Sequence, residues 1–313
     1  MVDVDLAIIG GGVAGLTAGL YAAWHRLDAV LVERMGTGGQ IVNADAIHNY
    51  PGFPRGIKGY ELGPQIAEQA IDLGLRIEYA DVQSLGSEGG AHVLNTDGEG
   101  FRARAVIVAA GSSIARLGCP GEEQFEGRGV SYCAVCDADF FRDQPVVVVG
   151  GGDSAIDEAL YLATVVSSIT LVVRGDRLRA APAIAEQALS HPKIHVRWQT
   201  ELAAIEGGDT VERVRAIRDG TSEESIECGG IFIYVGLQPN TSPFRDVLPL
   251  DAAGHIPVDP WMRSSVPGVF AAGDIRQHSA RQLVTSAGDG ATAAIAAARY
   301  LKDGVWPAPA QIA

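Results

Sequence analysis

The chain has 313 residues, 47% hydrophobic and 20% charged, which is enough for two domains with their own cores and excludes a largely disordered chain or one that needs disulfide staples. Lys and Arg number 24 against 38 Asp and Glu, a formal net charge of −14; this disfavours nucleic acid and anionic membrane surfaces and leaves small molecules or other proteins as expected partners. No apolar run reaches spanning length, and the acidic start Met1-Val2-Asp3-Val4-Asp5 is unlike the basic opening of a signal peptide, so the expected location is the cytoplasm.

In chain order, residues 4–9 form an apolar run of buried-strand length, followed by Gly10-Gly11-Gly12-Val13-Ala14-Gly15, a helical stretch to Trp24, and a second strand over 29–32 that closes on Glu33. About 140 residues after Gly10 the order repeats: a strand over 145–149, the loop Gly150-Gly151-Gly152-Asp153-Ser154-Ala155, a helix to about Thr164 and a strand over 169–173. That spacing predicts two doubly wound domains of an α/β protein rather than one continuous sheet. Three further strands, over 105–109, 231–235 and 269–272, each stop near a glycine, Gly111, Gly236 and Gly273, as strand ends facing a ligand do. No short repeat or low-complexity tract occurs, and residues 305–313 read as a loose tail.

A strand, then G-x-G-x-x-G, then a helix lets the backbone turn tightly and approach a pyrophosphate, whose charge meets the free N–H groups of the helix N-terminus. Gly10, Gly12 and Gly15 have this spacing, and Glu33 stands about 20 residues further on, where a carboxylate accepts hydrogen bonds from both ribose hydroxyls. The second loop, with Gly150, Gly152 and Ala155, leads to Arg174 instead of an acid, with Arg177 and Arg179 close behind. Guanidinium groups there either pair with a ribose 2′-phosphate, which favours NADP over NAD, or merely solvate a surface turn.

Of the four cysteines, only Cys133-Ala134-Val135-Cys136 has a diagnostic spacing. Zinc needs a second ligand pair and none is present, so no metal site is expected. In an intracellular chain Cys-x-x-Cys reads as a dithiol that cycles with its disulfide, with Asp137 beside it to relay a proton; two buried reduced cysteines are the plainer alternative. Cys119 and Cys228 are expected to be core thiols.

The stretches Gly38-Gly39-Gln40-Ile41, His48-Asn49-Tyr50-Pro51-Gly52, Gly129-Val130-Ser131-Tyr132-Cys133-Ala134-Val135-Cys136-Asp137, Glu158-Ala159-Leu160-Tyr161-Leu162, Gly236 with Pro239-Asn240, and Ala272-Gly273-Asp274 followed by Arg281-Gln282 occur in one order. With them the chain resembles the low-molecular-weight thioredoxin reductases over nearly its whole length. The resemblance implies two Rossmann-like domains, the second inserted into the first: an FAD domain over 1–115 and 246–313, and an NADPH domain over 116–245 that carries the dithiol. It also implies a homodimer. Gly10, Gly12, Gly15 and Glu33 then hold the ADP half of FAD, Gly39, Gln40 and Asn49 line its flavin side, and Gly111 also binds FAD. Asp274 binds the ribityl or pyrophosphate region, with Arg281, Gln282 and Leu283 near the isoalloxazine. Cys136 faces the flavin, Cys133 attacks the protein substrate, Asp137 is the acid–base residue, and Gly150, Gly152, Ser154, Arg174 and Arg179 contact NADPH.

The chain departs from the family's His-Arg-Arg, having Val173-Arg174-Gly175, so one phosphate-binding arginine is missing and Arg177 is the candidate to compensate. Ala138 and Ala110 also differ from the family's usual Gly and Thr, without loss of a reacting group. The implied activity is a relay from NADPH through FAD and the Cys133–Cys136 disulfide to thioredoxin or a thioredoxin-like protein, with rotation of the inserted domain about crossings near 115 and 246. The alternatives are a flavoprotein of the same fold that draws on ferredoxin, NADH or another donor, and a redox sensor without turnover.

Overall fold

The computed structural model describes residues 1–44 and 47–306. The chain divides into two compact units, Met1–Ser113 with Gln238–Ala313, and Ile114–Leu237 inserted between those pieces.

The first unit opens with β1 (Val2–Ile9), α1 (Val13–Trp24) and β2 (Ala29–Glu33), continues through α2 (Gly59–Asp72) and β3 (Arg76–Tyr79), and completes its first piece with β4 (Val82–Glu88), β5 (Ala91–Thr96) and β6 (Phe101–Val108). A short strand, β7 (Ser112–Ile114), leads into the second unit. There β8 (Val130–Ser131), the single turn α3 (Ala134–Asp137), β9 (Pro145–Val149), α4 (Asp153–Leu162), β10 (Ser168–Val172), α5 (Pro182–Ser190) and β11 (Ile194–Arg197) precede β12 (Thr200–Gly207), β13 (Val211–Arg218), β14 (Ser222–Glu227) and β15 (Gly230–Ile233). The chain returns through β16 (Leu237–Pro239) to β17 (Val269–Ala271) and α6 (Leu283–Asp303).

In the first unit β3, β2, β1 and β6 are parallel neighbours in that order. The far edge of β6 pairs first with antiparallel β5 and then, from Val106 onward, with parallel β17. Alternate residues of β1 explain the unbroken apolar run: Leu6 and Ile8 join a core made with α1, α2 and α6, while Ala7 and Ile9 join a second core with β4, Phe244 and Leu248. In the second unit β11, β10, β9, β15 and β8 form an all-parallel sheet. One face of that sheet packs on α4 and α5 and the other on the antiparallel sheet of β12, β13 and β14.

Each crossing is made by a short strand, and β7 and β16 pair as a two-stranded ribbon. The return crossing comes before residue 246 because the stretch after it belongs to the first unit. Phe244 is buried in that core, and Asn240 donates through its N–H to Gly111 O (3.0 Å) and through Nδ2 to Ala110 O (2.8 Å). α4 ends at Leu162, short of Thr164, where Lys193 Nζ takes up the carbonyls of Ala163 (2.9 Å) and Val166 (2.7 Å) that the helix no longer uses. Of the tail, residues 307–313 lie outside the described residues. Trp306 is not loose: its ring packs edge-on against Phe270 and Tyr300, at 5.1 and 5.2 Å between centroids.

Small residues let α1 and α6 approach at backbone distance. A Cβ at Gly290 would stand 2.1 Å from Ala14 O and 3.1 Å from Ala18 N, both backbone atoms that cannot yield without moving α1. Gly290→Ala should therefore cost about 2 kcal/mol of stability, read as a lower urea midpoint at unchanged slope.

Candidate active site

The first glycine loop joins β1 to α1. Gly10 has φ +103°, and a Cβ there would lie 2.5 Å from Ala109 O, so the turn requires glycine for both conformation and space. A Cβ at Gly15 would lie 1.8 Å from Gly10 O, which forces glycine where the helix passes the strand end. Gly12 differs: it is the N-cap of α1, and a Cβ on it would meet no protein atom within 4 Å. Its bare backbone fronts the helix N-terminus, the electropositive end of α1, a cradle that fits a pyrophosphate. The Glu33 carboxylate is held at the same loop, with Oε2 accepting from Gly11 N–H (2.6 Å) and Oε1 from Met35 N–H (2.8 Å). Gly39 closes the group, since a Cβ there would stand 3.0 Å from Gly12 Cα.

The remaining candidates of the first unit lie in two groups. Gln40 Nε2 donates to Ser112 O (2.6 Å), and Ser112 Oγ donates to Asp274 O (3.3 Å); Gly111, at φ +60°, precedes this strand and accepts Asn240 N–H. Asn49 Nδ2 donates to Gln282 Oε1 (3.1 Å), next to Leu283 at the start of α6 and to Arg281, whose φ is +55°. Burial raises the Asp274 carboxyl above the usual carboxylate range, opposed by the hydroxyls of Ser279 and Ser286 and by the charge of Arg281. The sequence reading missed a supporting pair: Arg276 Nε and Nη2 hold Asp289 Oδ2 and Oδ1 at 2.6 and 3.0 Å, and Asp289 Oδ2 also accepts Gly273 N–H (3.1 Å). This part-buried pair fixes the Gly273-Asp274 turn to α6.

The second loop repeats the design. Gly150 has φ +142°, and a Cβ there would lie 2.3 Å from Tyr234 O. Gly152 is the N-cap of α4 with open space before it, and Ser154 is exposed on the first turn. Arg179 N–H donates to Gly151 O (2.6 Å), which brings the arginine loop back to the glycine loop. Arg174, Arg177 and Arg179 are all exposed, and Glu201 lies 3.9 Å from Arg174. Val173 is buried under Gly151, so it offers nothing to a ligand.

Cys133 and Cys136 form a disulfide with their Cα atoms 5.4 Å apart. Cys133 is the N-cap of α3, and its Sγ accepts Cys136 N–H (3.2 Å), a contact that stabilises a thiolate on Cys133 once the bond is open. Asp137 Oδ2 accepts from Ser131 Oγ (2.7 Å), and Ser131 Oγ accepts Cys133 N–H (3.1 Å). Tyr234 Oη accepts Ala134 N–H (3.0 Å); burial, then the Glu158 carboxylate, raise the Tyr234 phenol. Neither Ser131 nor Tyr234 stood out in the sequence. Burial pushes the Cys228 thiol up to about 12. Cys119 is only half-buried, less of a core thiol than expected, and its thiol is raised by burial and then by Glu122. Among the described residues no group of three or more His, Cys, Asp or Glu could hold a metal ion.

The family described as pyridine nucleotide-disulphide oxidoreductase matches residues 4–297. The chain belongs to this family. The pyridine nucleotide-disulphide oxidoreductases similar to it include the thioredoxin reductase of Treponema pallidum, 41% identical over 301 residues, 96% of this chain and 97% of that one. The thioredoxin reductase of Bacillus subtilis is 40% identical over 96% of this chain and 95% of its own. The crystal structure of Lactococcus lactis thioredoxin reductase superposes with a TM-score of 0.94 at 40% identity, covering 96% of this chain and 99% of that one. The expected class and fold stand: an FAD-dependent, NADPH-using oxidoreductase of the thioredoxin reductase kind, with two Rossmann-like domains.

The two glycines of the first loop should separate folding from binding. Gly15→Ala should lower stability by about 2–3 kcal/mol in urea titration. Gly12→Val should keep the far-ultraviolet spectrum and the urea midpoint of the flavin-free protein yet lose the bound flavin absorbance on purification.

Proposed function

We propose that the chain reduces a thioredoxin-like protein with electrons from NADPH, and that the first unit is the FAD domain and the second the NADPH domain. The observation that carries this reading is the Cys133–Cys136 disulfide with Asp137 beside it, in the same unit as a glycine loop and ahead of it by one strand. Bound FAD supplies the exchange between two-electron hydride chemistry and thiol chemistry.

The residues divide the remaining work. Gly10, Gly12 and Gly15 bring the N–H groups of α1 to the pyrophosphate of FAD, Glu33 takes its ribose hydroxyls, and Gly39, Gln40, Asn49, Gly111, Asp274, Arg281, Gln282 and Leu283 orient its flavin end. Gly150, Gly152 and Ser154 receive the NADPH pyrophosphate, and Arg174 and Arg179, with Arg177, receive the 2′-phosphate. Cys136 is the sulfur nearer the flavin and Cys133 the one that attacks the substrate. Asp137 holds the proton that the leaving sulfur needs. Because the dithiol and the second loop share one unit, the unit turns about the β7 and β16 crossings to present each in succession. Its assembly is a homodimer and its compartment the cytoplasm; no helix among the described residues is long and apolar enough to cross a membrane.

Cys136→Ser should bleach normally with NADPH under anaerobic conditions and fail to reduce thioredoxin in turnover; full turnover by this variant would sink the reading. Mixing the unaltered protein with NADPH, NADH and reduced ferredoxin in the same apparatus tests the donor.

Gly175 bears on the choice between NADPH and NADH. It lies outside the left-handed region, and a Cβ there would have 3.6 Å to its nearest neighbour, Arg177 O, so a side chain fits. Gly175→Arg should raise the kcat/KM ratio of NADPH over NADH by about tenfold, the weight of one charge-assisted pair with the phosphate.

A further inference from the structure

The single turn that carries the disulfide is too short to satisfy its own backbone. Its leading N–H groups, those of Cys133 and Ala134, are taken by two hydroxyls from elsewhere in the unit: Ser131 Oγ at 3.1 Å and Tyr234 Oη at 3.0 Å. We propose that Ser131 and Tyr234 are positioning residues for thiol–disulfide exchange, tying the backbone N–H groups of the attacking cysteine and of its neighbour Ala134 to two carboxylates. This inference rests on the function proposed above.

The argument is one of donors and acceptors. A backbone N–H only donates, so each hydroxyl must accept from it and direct its own proton elsewhere. Ser131 has two acceptors in reach, Asp137 Oδ2 at 2.7 Å and Cys133 O at 3.2 Å, and the nearer, charged one takes the proton. Tyr234 has the Glu158 carboxylate, which acts on its phenol and raises it. Ser131 is buried, so water does not replace it at no cost, and Asp137 is anchored at its N–H as well, through Cys133 O at 3.2 Å. The result is a closed circuit from Cys133 N–H through Ser131 to the Asp137 side chain, and from the Asp137 backbone to Cys133 O.

In the exchange, Cys133 attacks one sulfur of the substrate disulfide, and the other sulfur leaves with the bonding electron pair and takes a proton. Cys136 then attacks Cys133, which closes the disulfide of this chain and releases the second substrate thiol. Two thiol protons of this chain end on two substrate thiols, and one electron pair is transferred. Asp137 carries the proton of Cys136 to the departing sulfur only if its carboxylate stays beside the pair, and Ser131 holds it there.

The test uses the FAD-loaded protein with Ser131→Ala, Ser131→Thr and Tyr234→Phe. Ser131→Ala should lower kcat for thioredoxin about tenfold with KM unchanged, and Tyr234→Phe about fivefold, the weight of one hydrogen bond at the reacting group. Ser131→Thr, which keeps the hydroxyl, should recover most of the loss. Anaerobic reduction of the flavin by NADPH should run at the unaltered rate in all three. Wild-type kcat in either Ser131→Ala or Tyr234→Phe overturns the proposal, as does a loss in Ser131→Ala that threonine does not recover. If Ser131→Ala does not fold, Tyr234→Phe decides by the same criterion. A flavin that NADPH does not reduce even in the unaltered protein counts against the proposed function instead, because exchange by chemically pre-reduced protein still reads out Ser131 and Tyr234.

Discussion

Two backbone carbonyls set the geometry of both units. Ala109 O, just past β6, stands where a Cβ on Gly10 would lie, and Tyr234 O, just past β15, stands where a Cβ on Gly150 would lie, at 2.5 and 2.3 Å. In each unit the strand that opens into the glycine loop therefore ends against its neighbour across the sheet, at the point where the order of strands reverses. A crevice opens there beyond the strand ends, and the next helix directs its N-terminus into it. One methyl group at either glycine would push strand end from strand end and close that crevice. The contact comes first, and the positive φ of Gly10 and Gly150 follows from it.

Around that contact the chain invests its charge sparingly. Asp274 is the acid whose carboxyl burial raises, and the structure keeps its turn in place by pairing Arg276 with Asp289 rather than by adding charge to Asp274 itself. A part-buried guanidinium–carboxylate fork adds less net stability than it adds definition of geometry, and removing Arg276 leaves Asp289 with the Gly273 N–H alone. The exposed arginines after β10 show the opposite regime: among the described residues their one ion pair, Arg174 with Glu201 at 3.9 Å, is long and solvent-exposed.

What could be read from the sequence was what folds locally. Both glycine loops are specified by a strand, a loop and a helix contiguous in the chain, and the Cys-x-x-Cys pair lies within one turn, so residue order alone announced them. The supporting contacts needed the fold. Tyr234 meets Ala134 across 100 positions, and Arg276 finds Asp289 only because α6 folds back on its own entry turn. Ser131 is close to Asp137 in sequence, yet a serine near a cysteine pair has no pattern that distinguishes it from any other. The return crossing lies earlier than residue 246 for a related reason: nothing in the order of residues shows that Phe244 is buried with β1 and β6.

Tyr234 sits at both centres of the second unit, its carbonyl against Gly150 and its phenol on the dithiol turn. A single residue thus acts as a spacer bar between the second glycine loop and the dithiol turn, so a displacement of one is felt at the other without leaving the unit.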